Sequence, residues 1–311
     1  YIHRQPEGRV TVLEEMGGTT ETEGAVQDAL RWLAAHQSAD GRWDIDGFDQ
    51  GCGKCGGPGT ATSSDIAATG LSLLAFLGAG HTHLNEGPHR EAVDKAIRWL
   101  VAQEKGTGNL SGDGTMYDQG MATIALAEAY GMTLDNQLEP VVSRAVRYIA
   151  EAQHPETGGW RYFPGDRGDT SVFGWQVMGL KSARMAGLTV PDEVFKKALN
   201  WLEFAGGGQH GGLYGYQSDT PTIAMVAEGM FARQLLGSEH DDPMMQESAR
   251  YVVARLPGQV ETNFYYYYYG TLAMFQHQGE NWKRWNEAMR QALMTAQETE
   301  GTRKGSWAPV G

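Results

Sequence analysis

The chain has 311 residues, 41% of them hydrophobic and 20% charged, with a formal net charge of -13 and a pI near 5.1. That length and apolar share bury a sizeable core, and the acidic balance excludes nucleic acid and an anionic membrane surface as partners, since both need clustered Lys and Arg. No run of about 18 apolar residues is present, so no segment spans a bilayer as a helix, and no signal peptide is visible. A start at Tyr1 without Met is compatible with a removed leader or anchor, and the sequence leaves location open. The 42 glycines cluster between apolar stretches, where they punctuate rather than form low-complexity sequence. Two cysteines, Cys52 and Cys55, exclude a disulfide framework.

Residues 1–22 are mixed in character. Pro6 can start a short helix there, and Gly17-Gly18 can stop it. From Gly24 to Gln37, Ala25, Ala29, Leu30, Trp32 and Leu33 recur at three- and four-residue steps, which predicts an amphipathic helix. The phrase AVQDALRWLAAHQ (25–37) returns as AVDKAIRWLVAQ (92–103), VVSRAVRYIAEAQ (141–153), VFKKALNWLEFA (194–205) and MQESARYVVARL (245–256). The aligned aromatics are Trp32, Trp99, Tyr148, Trp201 and Tyr251, and a sixth copy (285–297) lacks one. A second kind of helix alternates with these, at 65–80, 117–131, 169–187, 219–237 and 264–276. It is less charged, rich in Gly, Ala and Met, with Asp or Thr near the start and, in most copies, Gly at the stop, as caps require. A helix apolar on nearly all sides is a buried helix. The pattern therefore predicts an all-α protein, an α/α toroid of about six helical hairpins with apolar helices inside and amphipathic ones outside. It is expected to be one domain over 1–311, with repeats from 24 onward and the N-terminal segment (1–22) supplying a sixth inner element.

Three loops join these helices in one way: Gln37 to Trp43 (QSADGRW), Gln153 to Trp160 (QHPETGGW) and Gln297 to Trp307 (QETEGTRKGSW). With the helix alternation, they resemble the QW motif of the prenyltransferase and squalene-oxidase repeat family, which includes squalene-hopene cyclases, oxidosqualene cyclases and protein prenyltransferase β-subunits. The resemblance covers roughly Gly24 to Gly311. It implies that each Gln caps a neighbouring helix and each Trp stacks over it, so Trp43, Trp160 and Trp307 are structural. The second and fourth repeats lack the Trp, which implies weaker ties. Cyclases of this family carry Asp-x-Asp-Asp-Thr at the start of an inner helix, with the central Asp as proton donor. The nearest match is Asp166-Arg167-Gly168-Asp169-Thr170, which puts Gly168 in the place of that acid. The resemblance thus implies a site here, with Asp169 and Asp166 as the candidates for acid chemistry, while Gly168 counts against cyclase turnover. Asp169 also reads as a helix cap, as do Asp65, Asp118 and Asp219.

Phe264 to Tyr269 is a run of six aromatics at the start of an expected inner helix, so two or three rings point toward the axis. Aromatic faces stabilise cations by about 0.5–2 kcal/mol each. Tyr265, Tyr266, Tyr268 and Tyr269, with Trp175, Tyr214 and Asp118, are the expected substrate-binding residues; packing between helices is the competing role for the rings. Cys52 and Cys55 are separated from His81 and His83 by a helix of roughly 22 Å, so no zinc and no other cofactor is expected, and the cysteines are read as a local disulfide or as thiols. Asp44, Asp46 and Asp49 read as a solvated loop, without the following acidic ligand of a calcium loop. Gly51-Cys52-Gly53 is similar to a complement-type thioester turn but lacks its Gln. The expected function is binding or processing of an isoprenoid or similar apolar small molecule in a central aromatic-lined cavity. The alternatives are a non-catalytic scaffold toroid and a carbohydrate-active toroid, the latter needing two carboxylates about 5–9.5 Å apart.

Overall fold

A computed structural model describes Leu13, residues 15–50, Cys52, Cys55 and residues 64–309. The helix expected from Pro6 and its role as a sixth inner element lie mostly outside these residues, as does most of the turn around Cys52. Among the described residues the chain forms eleven α-helices: α1 (Thr20–Ala35), α2 (Asp65–Gly78), α3 (Arg90–Gln103), α4 (Met116–Thr133), α5 (Glu139–Ala152), α6 (Thr170–Met185), α7 (Asp192–Ala205), α8 (Ile223–Leu235), α9 (Pro243–Val253), α10 (Phe264–His277) and α11 (Gly279–Ala296). The protein is all-α and the two kinds of helix alternate as the sequence predicts.

The odd-numbered helices from α1 to α5 and from α7 to α11 keep a charged face in water, while α2, α4, α6, α8 and α10 are largely enclosed. Helix α4 is the extreme case, buried from Met116 through Ala129 save for Tyr117. Its small residues, Gly120, Ala122, Ala125, Ala127 and Ala129, let neighbouring backbones approach, and a Cβ on Gly70 of α2 would meet the Met121 carbonyl oxygen at 2.9 Å. Starts are capped by side chains. Thr19 and Thr115 form capping boxes on α1 and α4, and Thr222, Asp242 and Asn263 cap α8, α9 and α10. Helix α8 starts at Ile223, later than the expected Asp219. An isolated antiparallel bridge pairs Gly215 with Pro221, so the chain is still extended there, and Asp219 is exposed. Just before it, Gly206–Gly207 pairs antiparallel with Leu213–Tyr214, the one two-stranded ladder among the described residues.

The chain divides into two compact units. One comprises Tyr1–Glu151, Gly179–Val190 and Gln297–Trp307, the other Ala152–Met178, Pro191–Ala296 and Ala308–Gly311. Within each, one device recurs where a loop returns to the following amphipathic helix. In the first unit Gly41, Gly108 and Gly305, all at positive φ, lie so close to α3, α5 and α1 that a Cβ would fall 2.4, 2.2 and 2.3 Å from the carbonyl oxygens of Lys95, Arg144 and Asp28. In the second unit Gly158 and Gly212 abut the carbonyls of Lys197 on α7 and Met244 on α9 in the same way.

Three of these approaches are tied by a glutamine. Gln37 Nε2 donates to Gly41 O and Ala92 O, each at 2.9 Å; Gln153 Nε2 donates to Gly158 O at 2.9 Å and Val194 O at 3.0 Å. Gln297 Nε2 donates to Gly305 O at 3.1 Å and Ala25 O at 2.9 Å. The amide bridges two carbonyls, one in the loop and one in the first two turns of the helix, rather than capping free N–H groups. Two of the indoles beside these ties are enclosed and Trp307 is half-buried; Trp43 Nε1 donates to Leu33 O at 2.9 Å, and Trp43 and Trp160 sit 5.8 Å from Phe76 and Phe173. The two loops without the tryptophan use acids instead. Glu104 accepts from Gly108 N at 2.6 Å and from Arg144, while Glu247 accepts from the backbone N–H groups of Gln209, His210 and Gly212.

Replacing Gly158 by Ala adds both left-handed strain and a clash with a backbone that cannot yield, and is expected to cost about 2–4 kcal/mol. Gly187, also at positive φ but with nothing within 4 Å of an added Cβ, is the control, expected to cost about 1 kcal/mol as Ala. Urea denaturation of the two variants checks the difference, and equal losses would remove the close approach as a cause.

Candidate functional site

The start of α6 is built by the loop that precedes it. Asp169 N donates to Trp160 O at 2.9 Å, Thr170 N to Tyr216 O at 2.9 Å and Thr170 Oγ1 to Gly215 O at 2.7 Å, so two extended segments fix the helix entry. Asp169 is fully buried. Its Oδ1 accepts from Val172 N at 2.7 Å and Ser171 Oγ at 2.9 Å, and its Oδ2 accepts from the Tyr216 hydroxyl at 3.1 Å with the Arg161 guanidinium at 3.4 Å. Burial pushes its carboxyl up from the usual range, against the pull of the Val172 N–H, the two hydroxyls and Arg161. The Tyr216 hydroxyl continues to Tyr162 at 2.8 Å. Asp169 therefore caps α6, and both oxygens are committed. Asp166 sits in the turn before it, where its Oδ2 accepts from Phe163 N at 3.0 Å.

Gly168 has φ of 120° and faces the Trp201 ring, which an added Cβ would meet at 2.7 Å, and Gly159 Cα, which it would meet at 3.0 Å. Trp201 is held in turn by its Nε1, which donates to Thr170 Oγ1 at 3.3 Å. Position 168, where the resemblance puts the cyclase acid, is thus closed by backbone conformation and by an indole. An aspartate there has no room.

A second carboxyl lies deeper in the same unit. Glu228, in the middle of α8, is wholly buried, and its Oε2 is 2.8 Å from the Tyr265 hydroxyl. It occupies space opened by Gly174 on α6, where a Cβ would lie 2.0 Å from Oε1. Complete burial pushes its carboxyl well above the usual range and the Asp169 charge pushes the same way, while the Tyr265 and Tyr269 hydroxyls and the Gly174 N–H pull it down. Tyr265 also reaches Ser171 O at 3.0 Å. A phenol has one proton, so a neutral Glu228 donates to Tyr265 and Tyr265 donates to Ser171 O. Both contacts are then satisfied.

Tyr265 and Tyr269 of α10 lie beside this carboxyl, and Trp175 packs against their rings. Trp175 stacks on Tyr268 at 5.2 Å and meets Tyr269 edge-on at 5.3 Å and Tyr265 at 6.3 Å. Tyr265 and Tyr268 are half-buried, while Trp175 and Tyr269 are enclosed. The Trp175 Nε1–H is buried without a hydrogen-bond partner.

The structure therefore brings four of the expected substrate-binding residues together: Trp175, Tyr265, Tyr268 and Tyr269. It places two others elsewhere in this unit. Tyr266 donates toward Val252 O and Arg255 O at 3.2 and 3.0 Å and packs edge-on against Trp285, while Tyr214 accepts from Arg233 Nε at 3.2 Å with its ring against Gly229. Asp118 belongs to the other unit, where it completes the α4 capping box and accepts from Ala67 N at 3.3 Å. Sequence reasoning missed Glu228 and Arg161, while Tyr216, which it grouped with the aromatic rings, instead donates to Asp169. The lone acid of an otherwise apolar helix, IAMVAEGMFARQL, was the available signal for Glu228.

No family model and no curated protein matches the sequence. Solved structures do match the fold. The α-1,6-mannanase GH76A of Salegentibacter sp. HEL1_6 is 14% identical, with a TM-score of 0.65 over 93% of each chain. The type II terpene cyclase MstE from Scytonema is 14% identical, with a TM-score of 0.61 over 93% of this chain and 82% of that one. A protein from Actinoplanes is 19% identical, with a TM-score of 0.57 over 92% of this chain and 83% of that one. At these identities the likeness shows the fold, an α/α toroid, and the fold alone.

Gly168→Asp is expected to lower stability by at least about 2 kcal/mol, and thermal denaturation of the purified variant checks it; a variant as stable as the parent would reopen the acid position. Glu228 supports a pH prediction. Its folded pKa is raised well above that of a free glutamate, so at higher pH the unfolded chain releases a proton that the native state keeps, and stability falls as pH rises above about 4.5. Glu228→Gln removes that loss, so its advantage over the parent grows from pH 4 to pH 7. The slope is reduced and not abolished, because burial raises Asp169 and Asp118 too. A constant difference across urea titrations at several pH values would mean that Glu228 is ionised in the fold.

Proposed function

We propose that this chain binds an apolar, isoprenoid-like ligand with an oxygen-bearing end on the aromatic cluster of α6, α8 and α10, and that Glu228, not Asp169, faces it as the neutral acid. The observation that carries the reading is the fully buried Glu228 carboxyl beside Tyr265 and Tyr269, two rings that pack against Trp175. A hydroxyl, carbonyl or ether oxygen would take up the unpaired Trp175 N–H, which otherwise costs free energy as a buried donor. The rings supply apolar contact and tolerate positive charge. The ligand would enter past the half-buried Tyr265 and Tyr268.

Protonating an unactivated alkene needs a strong acid held protonated. A carboxyl raised by burial is protonated but weak, and the position of the cyclase acid is occupied by Gly168. The reading therefore favours holding and orienting the ligand, with Asp169 and Asp166 supporting the start of α6 rather than supplying a proton. The likeness to both a mannanase and a terpene cyclase keeps a carbohydrate ligand as the second reading. One of the mannanase structures is an inactive variant in which two consecutive aspartates are replaced. The only consecutive aspartates in this sequence are Asp241 and Asp242, and they stand at the start of the amphipathic helix α9, where Asp242 caps Met244 N and Asp241 is exposed. That placement favours the apolar ligand.

Native mass spectrometry of the protein with geranylgeraniol, squalene and α-1,6-linked mannotriose in parallel tests the proposal. Retention of the prenyl compound is expected, weakened at least tenfold by Trp175→Ala or Tyr269→Phe. Binding of the mannoside alone would transfer the assignment to carbohydrate.

A further inference from the structure

Outside this cluster, the first unit holds a set of side chains that the proposed function does not use. His36, the residue at the C-terminus of α1, is buried; its Nε2 lies 3.0 Å from Cys55 Sγ and its Nδ1 2.6 Å from Trp32 O. Cys55 is buried, Cys52 is half-buried, and the two are joined by a disulfide. The Trp32 indole stacks on the imidazole with centroids 3.8 Å apart, and Phe48 lies 6.3 Å from both rings. The imidazole is clamped.

Its tautomer follows from its partners. A carbonyl oxygen only accepts, so Nδ1 carries the proton and donates to Trp32 O, which leaves a lone pair on Nε2 aimed at Cys55 sulfur. A disulfide sulfur has no proton to offer. In the oxidised form this buried acceptor therefore faces an atom that cannot satisfy it. Reduction changes that: a Cys55 thiol donates to Nε2, or a cation accepts the lone pair together with both thiolates. Two cysteines three apart can bind one ion, and a ligating histidine typically donates its other N–H to a backbone carbonyl, as His36 does. The ligand atoms of His36, Cys52 and Cys55 all lie within 4.8 Å of one another. Zn–N of about 2.0–2.1 Å and Zn–S of about 2.3 Å separate nitrogen and sulfur by roughly 3.6 Å in a tetrahedron. Opening the His36–Cys55 contact by about half an ångström and parting the sulfurs is enough.

We propose that His36, Cys52 and Cys55 form a thiol-gated site for a soft divalent cation, zinc being the natural occupant, with three protein ligands and the fourth position left to water. A dithiol reductant gives two electrons and two protons to the disulfide and is itself oxidised to a disulfide. Binding of Zn²⁺ by Nε2 and the two sulfurs then releases both thiol protons to solvent. Oxidation reverses the sequence and expels the ion. The histidine in this site is His36, on the helix before the cysteines, not His81 or His83 on the far side of α2.

The test uses the full chain, reduced by a phosphine under anaerobic conditions and freed of excess reductant, beside the untreated oxidised chain. Each is titrated with Zn²⁺ against a chromophoric chelator, and with Co²⁺ while the thiolate charge-transfer and d–d bands are followed. The reduced protein is expected to take up one equivalent with a spectrum of two thiolates, and the oxidised protein none. His36→Gln is expected to weaken binding at least tenfold. Should that variant fail to fold, Cys52→Ser at a half-buried position is expected to lose one thiolate band and weaken binding to a similar degree. Reduced protein that binds no zinc, oxidised protein that binds it equally, or a folded His36→Gln with unchanged affinity would each overturn the proposal.

Discussion

The structure depends on the close approach of a glycine loop to the carbonyl face of the next amphipathic helix. A helical carbonyl already accepts one intrahelical hydrogen bond and has a second lone pair free, and the glutamine amide uses that lone pair without disturbing the helix. At Gln37, Gln153 and Gln297 a single –NH2 group binds loop and helix at once. No side chain fits between the two backbones. The price of the geometry is borne by glycine, which adopts positive φ without strain. Repetition of this one contact at successive loops, within each unit, lets a sequence with little else in common between its repeats maintain a regular alternation of enclosed and exposed helices.

The candidate site inherits its shape from that device. Trp201 belongs to the repeated aromatic position of the amphipathic helices, and its indole packs over Gly159 and Gly168 while bonding Thr170. The contact that seats α7 therefore also fixes the entry of α6. That in turn sets Asp169 as its cap and Ser171 as the acceptor for Tyr265. One turn further on, the missing side chain of Gly174 makes room for the Glu228 carboxyl. The chemistry of the cluster depends on two glycines, one that excludes an acid and one that admits one.

Much of the fold was legible because the helix phrase repeats and because each kind of helix carries its burial in its composition. The alternation of WL-bearing amphipathic segments with Gly-, Ala- and Met-rich ones gave every helix described. Boundaries were less legible where a loop competed for the first turn, as at Asp219–Thr222, where extended pairing outweighs the Asp-Thr signal. The site was half legible. Trp175 and three of the tyrosines were named from their chemistry, and six consecutive aromatics on a helix cannot all face one way, which is why Tyr266 turns toward the α9 carbonyls instead. Glu228 was missed because its partners come from helices more than thirty residues away in both directions, and no local spacing records them. His36 escaped for the same reason, being separated from Cys55 by a loop whose path the sequence does not specify.

Two of the five loop approaches are made with acids in place of glutamine. Burial opposes the charge of Glu104, yet Arg144 and the backbone N–H groups of Gly108 and Gly106 hold its carboxyl below the usual range, and the loop amides do the same for Glu247. An amide carries the same hydrogen bonds at any pH, whereas a carboxylate gives up its acceptor role on protonation. These otherwise similar seams are thus graded. The seams at α5 and α9 are the ones acid opens first, while those at α1, α3 and α7 hold, so the order of local opening is written in the choice between a carboxylate and an amide as the group that ties the loop.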